Sequence, residues 1–277
     1  GNVIEILASD HRSTGGYITK ISGEEFLDNR TGEIRQFKHI ENRSQDLQSV
    51  AESLARGRDM LNANITDTEK CRWVTLTYAE NMTDPAKLQK DFEHFNERMR
   101  SMFGHYEYIT AAEPQGRGAW HLHCVLIFDH KAPFMANEIV AAAWKQGFVT
   151  VKRLDNVDNV GAYLTAYLGD LELTADQTPS HGDKIKEVEF EENGEKKSKR
   201  YIKGGRLCMY PAHFKIFRWS KGCKKPVLTI EKYAEAKEKA SAGTLTFSKA
   251  VLLEDPERDF ANTLCYEYYN TARKKSQ

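Results

Sequence analysis

Apolar and polar positions along this chain switch repeatedly between a helical period and a two-residue period, and the switches mark out its elements. Across residues 43–64, Leu47, Val50, Leu54 and Leu61 recur at roughly helical spacing with little Gly or Pro between them, which predicts a helix. Arg72-Trp73-Val74-Thr75-Leu76-Thr77-Tyr78 alternates instead and is rich in β-branched and aromatic residues, so it reads as a strand. Asp84-Pro85 caps a second helix whose Leu88, Phe92, Phe95 and Met99 form one stripe, suited to covering a sheet face. Two β-like runs, residues 106–112 and 119–128, flank the turn Glu113-Pro114-Gln115-Gly116-Arg117-Gly118 and predict an antiparallel hairpin. A helix over 136–145, a strand over 148–153 and a helix over 158–171 follow. The acidic run 183–195, with Asn193-Gly194 inside it, reads as an exposed hairpin tip. At the two ends, residues 17–21 and 34–37 suggest a hairpin, and 230–239 and 255–273 look helical.

Strands and helices therefore alternate without a regular βαβ rhythm. The expected fold class is α+β, a mainly antiparallel central sheet flanked by helices, with a C-terminal mixed or helical extension. The expected domains are an N-terminal hairpin and helix segment (1–66), a central domain (67–205) and an extension (206–277).

Composition narrows the class. With 277 residues, 40% hydrophobic and 29% charged, the chain can bury an apolar core without disulfides or structural metal. Its longest apolar stretches are far too short to cross a bilayer, and no basic leader with an apolar core is visible. The expectation is a cytoplasmic protein with no membrane partner. Five cysteines, far apart and without a CxxC pair, fit reduced thiols better than a disulfide frame. Forty basic and forty acidic residues cancel, so net charge names no partner, but their distribution does. Residues 196–230 hold eleven Lys and Arg, among them Lys203, Arg206, Lys215 and Arg218, and no Asp or Glu. Such a stretch suits phosphate contact, because cations displace the counterions condensed on a polyanion, and the interleaved Tyr201, Tyr210, Phe214, Phe217 and Trp219 could stack on unpaired bases. A solvated loop with a few core aromatics satisfies the same pattern.

The sharpest chemical feature is His121-Leu122-His123. In a strand, residues two apart point to one face, so both imidazoles aim at one point while Leu122 and Cys124 turn toward apolar packing. A metal cation would satisfy that shared environment, as would two hydrogen-bonded structural histidines. Glu113 ends the preceding strand, and the hairpin can fold its carboxylate beside the imidazoles; Gln115 is an alternative oxygen donor. One oxygen and two nitrogens leave open positions, as a catalytic ion needs if substrate oxygens are to reach it. Tyr163 and Tyr167, four apart on the predicted helix, share a face, an arrangement that serves core packing as well as catalysis.

Three stretches, Trp73 to Tyr78, Glu113 to His123, and Asn159-Val160-Gly161-Ala162-Tyr163-Leu164-Thr165-Ala166-Tyr167-Leu168, together resemble the motifs of the HUH endonucleases in order and content. Among these, the resemblance is to rolling-circle replication initiators of Firmicute-type plasmids and integrated elements. It implies a nuclease in which Glu113, His121 and His123 hold Mn²⁺ or Mg²⁺, and Tyr163, with Tyr167 as the second tyrosine, forms a 5′-phosphotyrosine link and frees a 3′-OH. Implied partners are single-stranded or hairpin origin DNA and a host helicase and polymerase, with no small-molecule cofactor; the chain has no Gly-rich GKS or GKT loop of its own. The pattern departs at Ala166, where single-tyrosine members often carry Lys, so Lys152, Arg153 or Arg117 is expected to neutralise developing charge. A relaxase or single-strand transposase would share this chemistry, and a non-catalytic DNA-binding protein would lack it.

Overall fold

The computed structural model describes residues 1–11, 16–154, 161, 169–173, 184–192, 195–255 and 260–273. In chain order the strands are β1 (Val3–Ser9), β2 (Ile18–Lys20), β3 (Glu25–Asp28), β4 (Glu33–Gln36), β5 (Cys71–Tyr78), β6 (Glu107–Pro114), β7 (Trp120–Ile127) and β8 (Gly147–Lys152). They continue with β9 (Leu171–Leu173), β10 (Ile185–Glu192), β11 (Glu195–Ile202), β12 (Phe217–Trp219), β13 (Thr244–Asp255) and β14 (Phe260–Asn270). The described helices are α1 (Leu47–Asn64), α2 (Pro85–Phe103), α3 (Asn137–Trp144) and α4 (Tyr233–Ala240). The fold class is α+β with antiparallel sheets, as the sequence pattern predicts. No described helix is long and apolar enough to cross a membrane.

The chain divides into two compact units, residues 1–2 with 42–228, and residues 3–41 with 229–277. In the first, five antiparallel strands run in the order β12-β6-β7-β5-β8. Alternation along β5 and β7 sends Val74, Leu76, Leu122, Cys124 and Leu126 to one face, where they are buried against the stripe Leu88, Phe92, Phe95 and Met99 of α2. Asp84 caps α2 by accepting from the Ala86 N–H, and Gly104, at φ +81°, ends it. Trp144 of α3 completes this layer, edge-on to Tyr78 and Phe95, with its indole N–H donating to the Thr77 carbonyl. Burying a side chain as completely as Phe95 contributes about 1.5–3 kcal/mol. On the opposite face α1 reaches β12: a Cβ on Gly57 would lie 2.5 Å from the Phe217 ring, so helix and strand meet where there is no side chain to separate them.

A second sheet of this unit, β10-β11-β9, contains the hairpin expected over 183–195, although its tip at 193–194 lies outside the described residues. Its register qualifies the basic run 196–230. Arg200 is set opposite Glu187, and Lys199 pairs with Glu172 of β9 at 2.8 Å. The start of the acid-free stretch is thus set against acidic residues from neighbouring strands. Residues 206–228, which the sequence pattern groups with the extension, belong to the first unit because β12 is an edge strand of its sheet.

In the second unit β14 lies between β1 and β13, with Ile6 and Tyr269 packed on Ala240 of α4. The helix expected over 255–273 is therefore corrected: apart from 256–259, which lie outside the described residues, this stretch is the end of β13, the central strand β14 and a short turn after it. Its Thr263, Tyr266, Tyr268 and Tyr269 favour a pleated surface, and the partner that decides the matter, β1, lies at the other end of the chain. The N-terminal hairpin is corrected as well, because β2 and β4 each pair with β3 rather than with each other. Of the helix expected over 158–171, residues 158–160 and 162–168 lie outside the described residues; Gly161 is helical and Leu171 already starts β9.

Candidate metal centre

Directly opposite residues in an antiparallel ladder share a face, and the β6–β7 hairpin sets Glu113 opposite His121 and Ala111 opposite His123. The turn that imposes this register closes with the Gln115 N–H donating to the Ala119 carbonyl at 2.8 Å, and passes through Gly118 at φ +91°, a conformation that a side chain would strain. Glu113 Oε2 then stands 2.9 Å from His121 Nε2 and 3.2 Å from His123 Nε2. One donor atom from each of the three residues lies within 4.8 Å of the others.

Neighbouring strands orient the ligands. Thr75 on β5 pairs opposite His123, and its hydroxyl lies 3.3 Å from His123 Nδ1, while Trp73 stacks on the same imidazole at 5.1 Å. A proton held at Nδ1 and directed to the Thr75 oxygen leaves the Nε2 lone pair free for a cation. Burial would raise the Glu113 carboxyl, but hydrogen bonds from His121 and His123 and the charge of Arg206 outweigh it and hold the group at about 2. Burial pulls the His121 imidazole below its usual range against the opposing pull of Glu113, so its neutral, ligating form prevails at neutral pH. One carboxylate and two neutral imidazoles on a partly open face fit a divalent ion and leave coordination positions free.

The other oxygen of Glu113 is engaged as well. Oε1 accepts from the Gly169 N–H at 3.2 Å and pairs with the Arg206 guanidinium, which also donates to the Pro114 carbonyl at 3.2 Å. Asp170 accepts from the Gly204 N–H at 2.8 Å, and the Gly169 carbonyl accepts from the Arg206 N–H at 2.8 Å. At the other end, the Gly161 N–H donates to Asn62 Oδ1 of α1 at 3.0 Å. Both flanks of the segment carrying Tyr163 and Tyr167 are thus fixed, one on α1 and one on Glu113. The two tyrosines themselves lie outside the described residues.

The cations singled out in the sequence are placed differently from one another. Lys152 and Arg153 are exposed at the end of β8, and Lys203, Lys215 and Arg218 are exposed elsewhere in the same unit. Arg117 is exposed but ties the hairpin turn to the end of β5, donating to the Tyr78 carbonyl at 2.7 Å and the Ala79 carbonyl at 3.3 Å. Gln115, the alternative oxygen donor, turns its Oε1 to Arg117 Nε at 3.1 Å. Arg206 is half-buried and directed at Glu113. The motif reading missed Trp73, Thr75, Gly169 and Asn62. Strand parity places Trp73, Thr75 and Thr77 on one face, so pairing that strand with the HxH strand would have found the first two; no local signal marks Gly169 or Asn62.

No curated protein and no solved structure matches the chain. Residues 71–172, the span from β5 through Glu113, His121 and His123 to β9, match the family model of the replication-associated protein ORF2, and the match supports a role in initiating replication.

Proposed function

We propose that this chain is a metal-dependent DNA nickase and rejoining enzyme of the HUH type that initiates rolling-circle replication. The observation that carries this reading is the convergence of Glu113, His121 and His123 on one face of the antiparallel sheet, inside the span that matches the replication-associated family. A divalent ion, Mn²⁺ or Mg²⁺, held by these three residues would polarise the scissile phosphate.

The remaining work falls to the chain. Thr75 and Trp73 hold the His123 ring, and Arg206 keeps Glu113 ionised. The phenolic oxygen of Tyr163 attacks the phosphorus as its proton is lost, forming a 5′-phosphotyrosine; the P–O3′ bond breaks, and the departing 3′ oxygen takes up a proton. Attack by a DNA 3′-OH on that link, with Tyr167 as second nucleophile, reverses the step and rejoins the strand. The Gly169 N–H bound to Glu113 supports this assignment, since Gly169 stands two residues after Tyr167 in the chain. Residues 67–205 form the endonuclease domain in this reading, and 206–277 contribute to origin binding, with Lys203, Lys215, Arg218, Lys152 and Arg153 available for phosphates. Strand separation and synthesis fall to a host helicase and polymerase.

The test is a denaturing gel of the protein with labelled single-stranded and hairpin oligonucleotides and Mn²⁺, beside Tyr163→Phe and Tyr167→Phe. A metal-dependent covalent adduct, lost in Tyr163→Phe, is expected. DNA binding without any adduct across a broad sequence pool would favour a non-catalytic DNA-binding protein.

A further inference from the structure

The face that carries Glu113, His121 and His123 is covered on one side only. Toward β12 it is closed by α1, which meets Phe217 at Gly57. Toward β8 it continues as rows set by the register. Phe148 faces Thr77, which faces His121; Thr150 faces Thr75, which faces His123; Lys152 faces Trp73. Phe148, Thr150 and Lys152 are exposed, while Val149 and Val151 between them pack on the core.

Phe148 is the unusual member of this shelf. It is 71% exposed, and it makes no ring contact among the described residues, whereas Trp73 is already stacked on His123. A large aromatic held out on a strand whose alternate residues are buried is placed by the pleat, so it cannot withdraw without moving the core face. Two strand spacings separate it from His121, about 10 Å. The charge around it has one sign: β5, β7 and β8 contain no Asp or Glu, and Lys152 and Arg153 stand at the end of β8. An aromatic face beside exposed cations, with no carboxylate on the three strands, complements a ligand made of bases and phosphates.

We infer that this shelf is the track for the single-stranded DNA flanking the scissile phosphate, with Phe148 stacking an unpaired base and Lys152 contacting a phosphate, an inference that rests on the nickase reading of the adjoining site. Stacking of this kind is sequence-tolerant, because every base has a π-face.

The experiment measures binding of the full chain to fluorescein-labelled oligothymidine and to an abasic oligomer of the same length, which keeps the phosphates and lacks the bases. Phe148→Ala is expected to weaken oligothymidine binding about 5- to 100-fold and to leave abasic binding unchanged, with Phe148→Trp restoring the difference. Lys152→Gln is expected to weaken both and to lower the salt dependence. Equal loss on both oligomers in Phe148→Ala, no loss on either, or no preference of the wild-type protein for the base-bearing strand would overturn the assignment. Failure of the nickase reading is seen separately, as the absence of a metal-dependent covalent adduct in the wild-type protein.

Discussion

Arg206 reaches Glu113 by two routes at once: its guanidinium pairs with Oε1, and its backbone N–H is bound by Gly169, whose own N–H donates to the same Oε1. The loop closes three distant pieces of sequence around one carboxylate. Removing the guanidinium leaves a buried carboxylate oxygen with a weaker set of partners, a loss of about 1–3 kcal/mol. Arg206→Met is therefore expected to lower the stability of the first unit by that order, measured by urea unfolding, while Arg206→Lys, which keeps the charge and loses the fork, falls between it and the wild type.

Glu113→Gln, His121→Ala and His123→Ala each remove or weaken a ligand atom, and each is expected to abolish measurable Mn²⁺ binding in calorimetric titration. Thr75→Val keeps the shape but takes the hydroxyl away from His123 Nδ1, 3.3 Å off, and a loss of about 10-fold is expected, as for other partners that orient a ligating histidine. An unchanged affinity in all four would refute a metal site here.

Gly161 has no space for a side chain: a Cβ there would lie 2.5 Å from the Arg58 carbonyl oxygen and 2.8 Å from Asn62 Oδ1. Gly161→Ala is expected to destabilise the protein by about 1–3 kcal/mol by overpacking against α1. Asn62→Ala, which forfeits one hydrogen bond, is expected to cost about 1 kcal/mol. Thermal unfolding of the two variants should rank them in that order.

Acid titration has a definite sign in the second unit. Hydrogen bonds from the side chain and backbone of Arg30 hold the Asp28 carboxyl at about 2, against an ordinary value of 3.8, with Arg35 at 3.8 Å adding to the pull. Because the folded value is depressed, its contribution to stability is present above 3.8 and disappears as pH falls toward 2. The Asp28 carboxyl carbon, followed by NMR, should titrate near 2 in the wild type and move toward 3.8 in Arg30→Ala. A midpoint at 3.8 in the wild type would show that the contact is absent in solution.

The sequence by itself determined the elements whose own residues enforce them. The stripe Leu88, Phe92, Phe95 and Met99 with its Asp84-Pro85 cap made α2 readable, and alternation in Trp73 to Tyr78 and Trp120 to Ile127 made β5 and β7 readable, because burial on one face repeats with the period of the element. The same parity put His121 and His123 on one face, and the short turn brought Glu113 opposite His121. Only the tertiary structure decided what depends on contacts between distant parts of the chain. Residues 257–273 contain no Gly or Pro and read as a helix, yet 260–270 form a strand because β1 and β13 flank them on both edges, and the pairing with β1 lies beyond any local window. Arg206 reads as one more cation in a basic run, and it is the return of that run to β6 that directs it to Glu113 rather than to solvent. Local periodicity reports which side of an element is buried; which charge meets which, and which face stays open beside the site, follows from the packing of the whole unit.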